Sequence, residues 1–288
     1  MSLGLINIAP ILVTFHTSPQ MQKMISTHSM LRGGSLSDFM TFVLGYPAWS
    51  YSFKRELDIS KKSVAVSRTL KFDLLKEMGN FYGRKIVTIH NGVDIEKLEE
   101  DYHDARNYAE TSDKTILFAG RLFWGKGVMR LLNFCHLLQK ELPEFKIIVH
   151  GKGPLHKAMS KKIGELRLSN IELNGFANRK QLMNSMRRSS FVIVPSYYEA
   201  CPMMLLEGMC LGKIPLTYRH EYALEFTENG ALGIVANNSQ DMVTRLKRMS
   251  AKNDLNKLSK EVQNFAKRTY DINQVAENYY QLYKEICA

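Results

Sequence analysis

From Thr115 onward the chain alternates short apolar runs with helical stretches, and that alternation leaves few folds open. The apolar runs are TILFA, FKIIVH, NIELNGF, FVIV, IPLTY and ALGIV; the helical stretches between them include VMRLLNFCHLLQKEL, LHKAMSKKIGEL, QLMNSMRRS and MMLLEGMCL. Strands joined through helices by short connections pair in parallel, so an α/β doubly wound sheet is predicted. Upstream lies a smaller αβ set: PILVTFH, the segment through Met40, SVAVS, the helix TLKFDLLKEMG, and KIVTIHNGVD. The polar, charged run EDYHDARNYAETSDK separates the two sets and reads as a linker. The predicted units are therefore 1–94, a linker over 95–114, and 115–271. A closing helix over 272–288 has apolar and aromatic residues at helical spacing and packs one face against a domain. A doubly wound domain of ordinary size takes roughly 100 to 150 residues, whereas only about 90 precede the linker, so the first unit is predicted to be incomplete. Either its opening strands were removed or a partner chain supplies them.

At 288 residues, with 45% hydrophobic and 23% charged content, the chain has the composition of an ordinary soluble protein able to bury real cores. No run approaches the roughly 20 apolar residues of a membrane span, and the N-terminus lacks the marks of a secretory signal, so a cytoplasmic address is expected. Cys135, Cys201, Cys210 and Cys287 have no CxxC spacing and no histidine cluster, which points to reduced thiols rather than a metal site or disulfides. The net charge of +11 favours an anionic partner: nucleotide phosphates, nucleic acid or an acidic lipid surface.

Two glutamates, Glu199 and Glu207, stand with seven residues between them in FVIVPSYYEACPMMLLEGMCLGKIPL. Phe191 to Val194 reads as a buried strand and Pro202 as a first-turn residue, which places Glu199 on the connecting loop and Glu207 on the helix. That helix is apolar on almost every face, so Glu207 needs a polar partner, whether a ligand or neighbouring amides. After the strand TILFA comes GRLFWGKG, where Arg121 and Lys126 flank a glycine-containing turn that opens a helix. Such turns at the carboxyl ends of parallel strands bind phosphates; the alternative is a solvated basic loop. Gly120, Gly125 and Lys126 satisfy GxxxxGK, but Gly127 replaces the hydroxyl residue that holds Mg²⁺ in phosphate-binding loops of NTPases, which argues against that class. HGKGP, with Gly151 and Gly153, is either a close-approach turn for a nucleotide or a plain βα turn.

In their order and spacing, NGVD at Asn91–Asp94, GRL…KG at Gly120–Gly127, GKGP at Gly151–Pro154 and the Glu199–Glu207 pair resemble the retaining GT-B glycosyltransferases, the large "group 1" family. The resemblance runs from about Pro10 to the end, and ILVTFHTSP is similar to the acceptor-side loop of the phosphatidylinositol mannosyltransferases. It implies a GT-B-type fold of two Rossmann-like domains, the N-terminal one incomplete here. It also implies a UDP-, GDP- or ADP-sugar as donor substrate, no cofactor and no metal. The implied donor-binding residues are Gly120, Arg121, Lys126, Gly151, Phe176, Glu199, Cys201, Pro202, Met203, Met204 and Glu207. The implied catalytic residues are His16, Glu199, Arg121 and Lys126. In that scheme Arg121 and Lys126 neutralise the leaving diphosphate, Glu199 holds sugar hydroxyls, Glu207 holds the ribose, and His16 lies beside the reacting centre. The acceptor is a glycan, a lipid or a small molecule, and the sugar is transferred with retention.

The chain departs from that family in two places. Cys201 and Pro202 stand where glycines commonly follow the first glutamate, and no glycine-rich loop follows the first strand, since Gly33 and Gly34 are elsewhere. The rival reading is a non-catalytic sugar-nucleotide-binding subunit completed by a partner. His16 can equally be a structural strand-end histidine. Cys201 has no histidine beside it in sequence to activate it as a nucleophile and reads as a pocket-lining thiol. The aromatic stretch FMTFVLGYPAWSYSF, flanked by Lys54 and Arg55, reads as core or as a peripheral membrane face. Nucleic acid is not an expected partner, because RNP-type aromatic motifs and a helix-turn-helix signature are lacking.

Overall fold

The computed structural model describes residues 10–19, 21, 23, 36–105, 112–252 and 254–288. In chain order the elements are β1 (Leu12–Phe15), α1 (Leu36–Ile59), β2 (Lys62–Ala65), α2 (Arg68–Met78), β3 (Ile86–Thr88), α3 (Ile95–Asp104), β4 (Ser112–Ala119), α4 (Val128–Glu141), β5 (Lys146–His150) and α5 (His156–Glu165). There follow β6 (Ile171–Leu173), α6 (Arg179–Arg188), β7 (Ser189–Val194), α7 (Met203–Cys210), β8 (Ile214–Tyr218), α8 (Glu221–Phe226), β9 (Ile234–Ala236), α9 (Ser239–Ser250), α10 (Leu255–Tyr270) and α11 (Ile272–Cys287). Two parallel sheets result, one of three strands in the order β1-β2-β3 and one of six in the order β6-β5-β4-β7-β8-β9. The predicted alternation from β4 to β9 is thus present. Successive residues of its strands serve opposite faces: Ile116, Ile147 and Phe191 join the core beneath α4, α5 and α9, while Leu117, Ile148 and Val192 join the core beneath α6, α7, α8 and α10. Burial on both faces is why these strands are continuous apolar runs.

The run read as a linker is in its first part a helix. Asp94 accepts a hydrogen bond from the Lys97 amide at 2.9 Å, capping α3, whose Leu98 is buried in the second core. One buried leucine in a charged surface helix leaves a weak pattern, and β4 also begins earlier than expected, at Ser112. The aromatic-rich stretch divides along α1: Phe53 stacks on Phe15 at 5.3 Å and Leu57 is fully buried, whereas Leu44, Trp49 and Tyr51 are exposed. Among the described residues no helix is long and apolar enough to cross a membrane. Gly33 and Gly34 lie outside the described residues.

Among the described residues, three of the contacts that join the lobes stand out. The Val93 amide donates to the Tyr270 carbonyl at 2.7 Å and the Ile272 amide to the Val93 carbonyl at 2.9 Å, a bridge that returns the chain to the first lobe. A Cβ at Gly92 would stand 2.5 Å from Ile272 Cδ1, so the NGVD glycine is required by this crossing. Beyond it α11 covers the small sheet: Val275 and Leu282 pack with Val64 and Ile89, and Lys61 Nζ donates to the Ile286 carbonyl at 2.6 Å. The third contact is Glu225 of α8, which receives the Arg68 amide at 2.7 Å, the Thr69 amide at 2.9 Å, the Thr69 hydroxyl at 2.8 Å and His90 Nε2 at 2.8 Å. A carboxylate on the second lobe thereby completes the N-terminus of α2 on the first.

Burial alone would raise the Glu225 pKa, but the hydrogen bonds from His90, Arg68 and Thr69 outweigh it and hold the group at about 2 against an ordinary 4.5. A depressed carboxylate contributes stability that is complete above its unfolded pKa and is lost as pH falls through its folded one. We therefore expect Glu225→Gln, which keeps the shape but offers one acceptor where two are used, to cost roughly 3 kcal/mol at pH 7. Denaturant unfolding of both proteins from pH 7 down to pH 2 checks this: the gap narrows between about pH 4.5 and 2, and a gap independent of pH refutes the assignment.

Candidate active site

In the large sheet the chain winds outward from β4 through β5 to one side and through β7 to the other. At such a reversal the loops leaving the two central strands diverge and open a crevice at their carboxyl ends. The loop after β4 runs from Gly120 to Gly127, and the loop after β7 from Pro195 to Pro202. Gly127 has φ +68 and caps α4, and a Cβ on it would collide with the Pro195 carbonyl oxygen. The position that carries Ser or Thr in phosphate-binding loops of NTPases therefore has no room for a side chain here.

These two loops bring together a cation and a carboxylate 73 residues apart. Lys126 Nζ lies 2.6 Å from Glu199 Oε1, and the Ser196 hydroxyl donates to the same oxygen at 2.6 Å. They line a cavity of about 280 Å³ together with Cys201, Pro202, Met203 and Met204. Pro202 provides no side-chain cap for α7, and the Leu205 and Leu206 amides turn back to its carbonyl at 2.9 and 3.2 Å. The Met203 and Met204 amides have no acceptor among the described residues, so the start of α7 presents two free donors beside the lysine.

A second cavity of about 330 Å³ shares Ala119 with the first and is lined by Gly120, Arg121, His150, Gly151, Lys152 and Phe176. Arg121 is exposed, its guanidinium 5.6 Å from the Phe123 ring centre. Gly151 has a structural reason to be glycine: its Cβ would collide with the Gly120 carbonyl oxygen, and its amide donates to the Gly175 carbonyl at 2.6 Å. The space opened by that glycine is filled by the neighbouring loop. His150, nearly buried, has Nε2 2.7 Å from the Ser185 hydroxyl, and burial holds its imidazole below the usual range.

Glu207 lines neither cavity. Its predicted polar partner exists: Arg179 Nη1 at 2.8 Å, with Arg179 Nε held in turn by Asp101 at 2.8 Å. The two glutamates are therefore separated, one in the pocket and one in an ion cluster on α7, α6 and α3 that Lys97 extends by pairing with Asp101 at 3.1 Å. His16 is exposed at the end of β1, next to Phe15, which packs in one cluster with Ala200 and Cys201. The first sheet thus abuts the Glu199 loop. Ser196 was not among the residues singled out in the sequence, although a serine three residues before a loop carboxylate is within hydrogen-bonding reach of it. Among the described residues no group of three His, Cys, Asp or Glu side chains is placed to hold a metal.

Comparison with known proteins shows the family and the fold. Residues 100–269 match the family "Glycosyl transferases group 1", and the chain belongs to it. A relative in Methanocaldococcus jannaschii, an uncharacterized glycosyltransferase, is 30% identical over 76% of this chain and 58% of its own length. The GDP-mannose:cellobiosyl-diphosphopolyprenol alpha-mannosyltransferase of Xanthomonas oryzae pv. oryzae is 25% identical over 53% of this chain and 40% of its own. The chain thus spans about half the length of these relatives. Among solved structures, sucrose-phosphate synthase from Thermosynechococcus elongatus superposes with a TM-score of 0.76 at 16% identity, over 96% of this chain and 67% of that one. Anabaena HepE, in complex with UDP and glucose, gives 0.70 at 17% identity, over 95% and 71%. These likenesses establish the two-lobed GT-B fold.

Burial pushes the Cys201 thiol up to about 12, against the pull of a hydrogen bond with the Asn91 backbone. A thiol in that range is no nucleophile at neutral pH. Iodoacetamide at pH 8 is expected to label the exposed Cys287 and leave Cys201 intact in the folded protein, as read by peptide mass spectrometry. Rapid labelling of Cys201 would overturn the pocket-lining role.

Proposed function

We propose that the chain is a retaining, metal-independent glycosyltransferase whose second lobe binds a nucleotide sugar across the two cavities joined at Ala119. The observation that carries this is the Lys126–Glu199 pair set over the free Met203 and Met204 amides. One face of that pocket is cationic and suits a diphosphate; the other is a carboxylate suited to sugar hydroxyls. An ammonium has three donors, so Lys126 can keep Glu199 and still turn two toward phosphate oxygens. The nucleoside then lies over Gly120 and Gly151 toward Phe176, with Arg121 at the diphosphate. Glu207 receives the ribose by giving up part of its bond to Arg179.

In the transfer, the bond from the anomeric carbon to the diphosphate oxygen breaks and a bond to the acceptor oxygen forms on the same face. The acceptor proton passes to the departing phosphate. Lys126, Arg121 and the start of α7 stabilise the charge that develops there, so no metal is required. His16, at the end of β1, faces the acceptor side of the reacting centre. The acceptor is a glycan, a lipid or a small molecule; the loop around His16 and the exposed aromatics of α1 favour a lipid-linked one at the inner membrane face.

A second reading is a sugar-nucleotide-binding subunit that needs a partner to complete its acceptor lobe. It is favoured by the small first sheet, three strands among the described residues. Thermal-shift screening of UDP-, GDP- and ADP-sugars identifies the donor, since a bound donor raises Tm. With that donor, Glu199→Ala is expected to abolish transfer and Lys126→Ala to slow it by about 10² to 10³, the range for one preorganised electrostatic donor. Unchanged kinetics in both variants refute the roles given to Glu199 and Lys126, and binding without turnover in the parent favours the subunit.

A further inference from the structure

The loops that carry Lys126 and Glu199 are clasped by an aromatic pair two residues upstream of each. Trp124 and Tyr197 stack with ring centres 4.1 Å apart and planes 5° from parallel, and the Tyr197 amide donates to the Gly125 carbonyl at 2.9 Å. Arg130, in the first turn of α4, sets its guanidinium carbon 3.7 Å from the same tyrosine ring and 5.1 Å from that of Tyr218. Two groups this close to one ring must occupy its opposite faces. Tyr197 is therefore held between an indole and a guanidinium, and its hydroxyl has no hydrogen bond among the described residues. A planar stack between flat partners resists sliding in a way that an aliphatic contact does not.

The geometry points to Tyr197, clamped between Trp124 and Arg130, as the positioning residue that keeps Glu199 in register with Lys126 while the lysine turns toward the leaving diphosphate. The Lys126–Glu199 ion pair itself joins the loops. When Lys126 shares its charge with phosphate that joint weakens, and the stack and the Gly125 hydrogen bond are what remain to hold the carboxylate at the sugar. Neither aromatic lines either of the two cavities. The inference rests on the glycosyl-transfer reading of the site given above.

The test is steady-state kinetics of the full chain with the donor found in a panel of UDP-glucose, UDP-N-acetylglucosamine, GDP-mannose and ADP-glucose. Tyr197→Ala is expected to lower kcat by about 10- to 100-fold, the scale of an ångström's misplacement of a catalytic group. Tyr197→Phe, which keeps the ring, should stay within about twofold of the parent enzyme. Tyr197→Leu fills the space without a planar face and should behave like alanine; if leucine restores kcat, the tyrosine is only filler and the inference falls. In a Lys126→Ala background the cost of Tyr197→Ala should shrink, because the register it preserves has already lost one member; fully additive costs overturn it. A parent chain that binds and turns over none of the four donors overturns both this inference and the reading beneath it. An active parent with a Tyr197→Ala variant equal to it overturns the stack alone.

Discussion

The place of β4 at the centre of the large sheet, hydrogen-bonded to β5 on one side and β7 on the other, is the constraint from which the rest follows. Because the chain winds away from it in both directions, the two loops leaving β4 and β7 have no helix between them at the carboxyl edge. Backbone amides and side chains can gather there without blocking a ligand. Lys126 and Glu199 are consequences of that topology, as are the uncapped start of α7 and the two cavities that meet at Ala119.

The crevice has a second wall, and its placement depends on how firmly the lobes are tied. Glu225 and the Val93 bridge act at short range through hydrogen bonds, while α11 carries a hydrophobic face across the small sheet. The three differ physically. Glu225 is a charge-assisted cap, sensitive to protonation; the bridge is a pair of backbone hydrogen bonds whose approach demands Gly92; the helix contributes buried area. Together they hold β1 against the Glu199 loop, where Phe15 packs in one cluster with Ala200 and Cys201.

Much of this was legible in the chain. The inner strands of the large sheet could be found because burial on both faces makes them largely apolar runs, whereas the edge strand β6 is only half-buried and carries Glu172; Glu199 and Glu207 stood out because carboxylates beside such runs need partners. The identity of those partners was not legible. Glu207 is met by Arg179, and Lys126, expected to lie free for phosphate, is already engaged by Glu199. The close approach that requires Gly151 is to the Gly120 carbonyl of the neighbouring loop, and the run read as a linker begins within a helix held by Asp94 and Leu98. The Trp124–Tyr197 stack left no trace in the sequence, since neither residue sits in a pattern that distinguishes it from other loop aromatics.

Period, chain stiffness and the demand of isolated charges for company are local quantities, and they were enough to give the α/β class and the strands of the large sheet and to single out the loops after β4 and β7. Which cation meets which acid, and which lobe α11 covers, was settled only when the sheet order brought together residues as far apart as Thr69 and Glu225. Hydrogen bonds and ion pairs act over a few ångströms, so their choice of partner belongs to the folded arrangement and leaves no mark in the spacing of residues along the chain.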